Sequence, residues 1–241
     1  MSFSNPKLSN PCRKFIEFKG DKGVFQYWDK EKEENVILKL PCYFVILDEL
    51  TTIKGYNDRL QCGLYSNEIH DLTTEQLRIK SFKGGLTITG LYNDIKGEMK
   101  SEGGKYCKSV YAMLIDGSGN REFVNFQLTG SAFSAYLDKK FKQDRDVVCI
   151  TGAMTEKEKG ITKYKEPVFK AYKMDAKYIP EATEMDLKLQ NYLKQYKKEA
   201  ISEVQEKEEK IDFVNEQMEY AANKEAEREF NQADDASDLP F

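Results

Sequence analysis

Histidine is almost absent: His70 stands alone among 241 residues, and no cluster of cysteine or histidine has metal-ligand spacing, which argues against a structural zinc site. The cysteines are few and scattered. Cys12, Cys42, Cys62, Cys107 and Cys149 are odd in number and form no CxxC pair, so buried thiols in a reducing compartment suit them better than disulfides. No apolar run approaches the ~20 residues that would span a bilayer. Met1 to Asn10 lacks the basic flank and apolar stretch of a signal peptide, so a soluble, cytoplasmic chain with no membrane role is expected. A phosphate-binding loop is missing too: around Gly103-Gly104-Lys105, Met99 stands where the first glycine belongs and Tyr106 where Ser or Thr should follow. Carboxylates are plentiful, but no spaced acidic motif on a recognisable strand marks a metal-dependent nuclease. No catalytic residue, metal or cofactor is expected.

The charge that is present is unevenly placed. The formal net charge is −4, yet residues 1–180 hold 29 Lys+Arg against 24 Asp+Glu, while residues 181–241 hold 8 against 17. The first part is thus at +5 and the second at −9. A mildly basic body joined to an acidic tail suits a chain that binds polyanions with one part and something cationic with the other.

Within residues 1–180, short stretches rich in β-branched and aromatic residues are broken by Gly, Asn and Asp, the pattern of strands and turns. Strands are predicted at Lys14 to Lys19, Val24 to Trp28, Val36 to Leu50 and Leu60 to Tyr65. A second series is predicted at Leu86 to Ile95, Cys107 to Asp116, Glu122 to Thr129, Val147 to Thr155 and Val168 to Met174. Phe133, Tyr136, Leu137 and Phe141 share one helical face, which places a helix over Ser131 to Phe141. The second series then reads strand, strand, strand, helix, strand, strand, the connectivity of an OB fold. The fold class expected is mainly β (α+β): an elaborated OB barrel in a body of residues 1–180, with its core at about 86–176. After Pro180 glycine disappears, and apolar residues from Met185 to Ala222 recur three or four apart. That spacing predicts an amphipathic helix over 181–230, ahead of a disordered acidic tail over 231–241.

The tail ends Asp234-Asp235-Ala236-Ser237-Asp238-Leu239-Pro240-Phe241. This is similar to the C-terminal tip of bacterial and phage single-stranded DNA-binding proteins, an acidic stretch ending in an aliphatic residue, Pro and Phe. As a docking peptide, Leu239 and Phe241 would fill an apolar pocket. Asp234, Asp235, Asp238 and the terminal carboxylate would meet Lys or Arg, and Pro240 would limit the conformations lost on binding. The segment from Leu86 through Met174 also resembles the OB domains of phage single-stranded DNA-binding proteins, in strand order.

The resemblance implies a chain that coats single-stranded DNA and recruits polymerase, helicase, primase or recombinase in a bacterial host cytoplasm. OB recognition uses the loops joining strands one to two and four to five. Here those are Lys96 to Tyr106, with Lys96, Lys100, Lys105 and Tyr106, and Glu156 to Glu166, with Lys157, Lys159, Lys163, Tyr164 and Lys165. Ammonium groups track phosphates while rings stack on bases, and Tyr111, Tyr92, Phe126, Phe169 and Tyr172 on strands are further candidate platforms. Three other readings compete: a strand-annealing recombination protein, a metal-dependent nucleic-acid enzyme, and a homo-oligomeric scaffold built on the long helix.

Overall fold

The structure is a computed structural model, and it describes residues 9–142 and 146–197. Strands β1 (Lys14–Lys19) and β2 (Val24–Asp29) form where β-branched and aromatic content predicts them. The predicted strand from Val36 to Leu50 is divided, with β3 (Glu34–Ile37) ending before Pro41 and β4 (Cys42–Asn57) starting after it. Proline has no N–H to give to a ladder, so it belongs between strands rather than inside one. Strands β5 (Cys62–Ser66), β6 (Leu77–Ser81) and β7 (Thr87–Gly90) follow.

The expected strand Leu86 to Ile95 is a correction. β7 ends at Gly90, and helix α1 (Tyr92–Ser101) takes over. Ile95 and Met99, four residues apart, bury one face of α1, and Asp94 in its first turn and Lys100 in its last complement the helix dipole. The chain leaves α1 through Gly103 at φ 86°, where a side chain would drive a Cβ to 2.1 Å from the Tyr56 carbonyl oxygen. The glycines that superficially resemble a phosphate loop therefore serve the close approach of α1, β4 and the next strand.

That strand is β8 (Gly104–Ile115), followed by β9 (Arg121–Leu128), α2 (Gly130–Leu137), β10 (Asp146–Lys159) and β11 (Thr162–Lys173). Neither expected recognition loop is a loop. Residues 96–106 are mostly α1 and the start of β8, and residues 156–166 are the outer half of a long hairpin whose ladder continues to Lys159 and Thr162. Residues 179–197 are helical, in agreement with the helix predicted from residue 181. The remainder of that prediction and the whole acidic tip lie outside the described residues.

The strands form one open mixed sheet in the order β3-β2-β1-β9-β8-β4-β5-β6-β7, with β10 on β4 and β11 on β10. Among the described strands only β1 with β9 is parallel. No closed barrel results. Taken alone, β10-β4-β8-β9 is a Greek-key order, the fourth strand returning beside the first. β4 can serve two neighbourhoods because a bulge between Ile46 and Asp48 interrupts its register with β8 and bends it. Its first four residues pair with β10, its last four with β5.

One face of the sheet is apolar over both halves. Phe25, Phe44, Phe126, Phe169 and Val110 make the larger core, and Ile53, Leu64, Leu77, Ile79, Ile88, Ile95 and Met99 make a second beneath β5 to β7. Ser9–Leu189 is one compact unit. Of the other unit, residues 190–197 are described, and there the Tyr192 and Tyr196 rings stack with centroids 5.9 Å apart. No described helix is long and apolar enough to cross a membrane.

Candidate nucleic-acid interface

The expected DNA-binding residues are dispersed over three settings. Lys96 and Lys100 are exposed on α1, where the Lys96 ammonium donates to Asn93 Oδ1 at 3.4 Å. Lys105 is exposed at the start of β8 and stands opposite Lys54 of β4. The second group occupies the hairpin.

Two tyrosines are corrections. Tyr111 is 0% exposed, sits mid-β8, and donates its hydroxyl proton to Glu68 Oε2 at 2.7 Å. It holds a buried polar network, in which Ser109 Oγ also donates to Glu68 at 2.5 Å and Asn125 Nδ2 donates to Ser109 Oγ at 2.7 Å. Burial pushes the Glu68 carboxyl above its ordinary value, against the pull of those two hydroxyls, and Asp48 adds to the rise. Tyr106 is half-buried, with its ring 4.9 Å from Phe133 of α2 and 5.8 Å from Tyr92 of α1, and its hydroxyl 2.9 Å from Thr51 Oγ1. Neither ring can meet a base without unpacking. Phe126 and Phe169 are core residues as well, whereas Tyr172 stays about half exposed, 6.0 Å from Tyr43.

The hairpin brings its five candidates together but sorts them by strand alternation. Lys157 faces Tyr164 across the ladder and Lys159 faces Thr162, so these share one side. Lys163 faces Glu158 and Lys165 faces Glu156 on the other side, each cation opposite an anion. Residues 157–163 are all exposed, and Ile161 at the turn is 99% exposed. Lys165 anchors the arm: its N–H donates to the Gly20 carbonyl at 2.8 Å, and its carbonyl accepts from Ser131 Oγ at 2.8 Å. Lys157 keeps one acid nearby, Glu166 at 3.4 Å. A groove of about 230 Å³ lies along this arm, lined by Asp21 and by Glu156 to Glu158 and Lys163 to Lys165.

Sequence reasoning passed over a second surface, the outward face of β4 to β6. It carries Tyr56, Tyr65 and Phe82, exposed by 50, 40 and 72%. Its signal was present in Leu77-Arg78-Ile79-Lys80-Ser81-Phe82, which alternates strictly between buried and outward positions. His70 hydrogen-bonds Asp48 Oδ2 at 3.0 Å, and among the described residues no three of His, Cys, Asp and Glu are grouped to hold a metal.

Set against known proteins, the chain matches no family model, no curated protein and no solved structure.

Proposed function

We propose that this protein binds single-stranded DNA, performs no bond chemistry, and recruits replication or recombination proteins through Asp234 to Phe241. The observation that carries the reading is the outer hairpin, an exposed arm with Lys157, Lys159 and Tyr164 on one side. Cations and a ring side by side are what a base-independent grip on a single strand requires.

The topology supports the same reading once the first OB strand is moved. With β4 in place of residues 86–95, the series β4, β8, β9, α2, β10, β11 again runs strand, strand, strand, helix, strand, strand. On this OB-like reading β5, β6, β7 and α1 are an insertion between the first and second strands. The β10–β11 turn then stands where OB domains place the loop between strands four and five, one of their two recognition loops. The basic body and acidic tail fit a protein with two kinds of partner.

Anisotropy titration of fluorescent oligo-dT against duplex of equal length tests the reading. The single strand should bind more tightly, and its affinity should fall with salt at a log-log slope of about −0.7 per phosphate neutralised. Equal affinity for duplex would overturn it.

A further inference from the structure

We propose that the outward face of β4, β5 and β6 is a base-stacking platform, a second subsite for a single strand that is separate from the β10–β11 arm. The proposal rests on the reading of the protein as a single-strand binder. Register places one row of side chains across five strands: Thr87, Lys80, Tyr65, Lys54 and Lys105. Neighbouring strands lie about 4.8 Å apart, so Tyr65 has a lysine on either side. The adjacent row is Phe82, Gly63 and Tyr56, since the Phe82 N–H donates to the Gly63 carbonyl at 3.0 Å and Gly63 pairs with Tyr56.

Gly63 is what lets the platform form. A Cβ there would stand 2.9 Å from Phe82 Cδ2, so the Phe82 ring lies over a position that only glycine leaves open. Phe82 stacks on Tyr65 with centroids 4.6 Å apart and planes at 29°. Scattered apolar residues on a surface are ordinary, but three neighbouring rings rimmed by cations mark an interaction site. No Asp or Glu occupies the outward positions of this stretch, which are Lys54, Tyr56, Gly63, Tyr65, Arg78, Lys80, Phe82, Thr87, Thr89 and Lys105. Lys54 is engaged by Glu17 of β1 and by Gln127 of β9. Lys80 and Lys105 flank the rings, with Arg78 on the same face.

Rings with cations and no carboxylates select a polyanion with exposed flat faces. Duplex DNA has the charge, but its bases are already stacked on one another. An apolar protein surface would bury Lys80 and Lys105 without a counter-charge. A single strand satisfies both requirements, its bases on Tyr65, Phe82 and Tyr56 and its phosphates on the lysines.

The test uses fluorescent oligo-dT and an abasic strand with the same phosphates, titrated into the full chain and into Tyr65→Ala/Phe82→Ala. Loss of stacking should weaken oligo-dT binding roughly 5- to 150-fold for each base that stacks, and leave abasic binding unchanged. Tyr65→Leu/Phe82→Leu keeps apolar bulk and should lose affinity as the alanine pair does. Circular dichroism and sedimentation accompany each variant. If the wild type prefers single strands and the folded double variants bind oligo-dT equally well, the platform falls while the single-strand reading stands. If the wild type binds no oligo-dT, both fall. If the substitutions change the sedimenting mass instead of DNA affinity, the face joins two copies of the chain and the proposal is overturned.

Discussion

The β10–β11 arm and the β5–β6 face hold the same kinds of side chain in opposite arrangements. On the arm, glutamates and lysines alternate along β10, and two of the four lysines stand directly across from an acid of the facing strand. On the face, lysines flank the rings and no acid holds an outward position, and of the row Lys80, Tyr65, Lys54 and Lys105 it is Lys54 that meets a carboxylate, Glu17 of β1. Opposite charges across a ladder contribute roughly 0.2–1 kcal/mol each to holding a hairpin together. The arm thus uses much of its charge to stay folded far from the core, whereas the face is backed by the apolar Leu64, Leu77 and Ile79. Net charge along a segment is therefore a poor guide to where a polyanion binds; the row-by-row arrangement is a better one.

The sharpest way to break this comparison is to remove one buried ring and one exposed ring. Tyr111→Ala should cost about 3–5 kcal/mol of stability, the range for deleting a buried aromatic, while Phe82→Ala should stay within about 0.5 kcal/mol of wild type. Urea melts followed by circular dichroism read both. If Phe82→Ala is as destabilising as Tyr111→Ala, Phe82 belongs to the core and not to a surface. Gly63→Ala comes next: the new methyl should push the Phe82 ring aside and weaken oligo-dT binding several-fold, with stability lowered by less than about 1 kcal/mol because a surface side chain can yield. Unchanged affinity would mean that the ring's placement does not matter.

Charge on the arm gives a smaller, more graded effect. Lys157→Ala/Lys159→Ala should reduce the salt slope by about 1.4 if each lysine meets one phosphate of a single strand. Glu156→Gln/Glu158→Gln should raise affinity a few-fold by breaking the alternation. A slope untouched by the lysine pair would leave the face as the sole contact. The smallest effect concerns Glu68 behind β8. A carboxyl whose folded pKa lies above its unfolded value takes up a proton on folding, so its contribution to stability is lost as pH rises through that window. Glu68→Gln removes the titration, and its melting temperature relative to wild type should climb as pH rises above the ordinary carboxylate range. Parallel melting curves across that rise in pH would show that Glu68 does not titrate there.

Much of this was legible beforehand, and the failures have physical causes. β1, β2, β8 and β9 follow from β-branched and aromatic content, and α2 from the helical spacing of its apolar residues. The outer hairpin was hidden because Glu156-Lys157-Glu158-Lys159 has the composition of a loop; only the partner strand reveals that its charges are in register. α1 was masked by Gly97 in its middle, which lowers helix propensity, and by Thr87-Ile88-Thr89 just before it. Tyr111 misled for a different reason. Val110-Tyr111-Ala112-Met113 is apolar without a period, as in a strand covered on both faces, so no alternation says which way the ring points. The platform was readable in residues 77–82, but reading it required seeing β6 as a strand.

All five cysteines are buried, and Cys12, Cys42 and Cys107 are pushed up to about 12 by burial, far from the thiolate state that alkylating reagents need. The folded body is therefore a blank background for maleimide chemistry. A single cysteine introduced at position 83, beside Phe82, or at position 161 on the hairpin turn would be the one reactive handle on its surface. A dye at each would report separately, and in real time, which region a passing strand touches first.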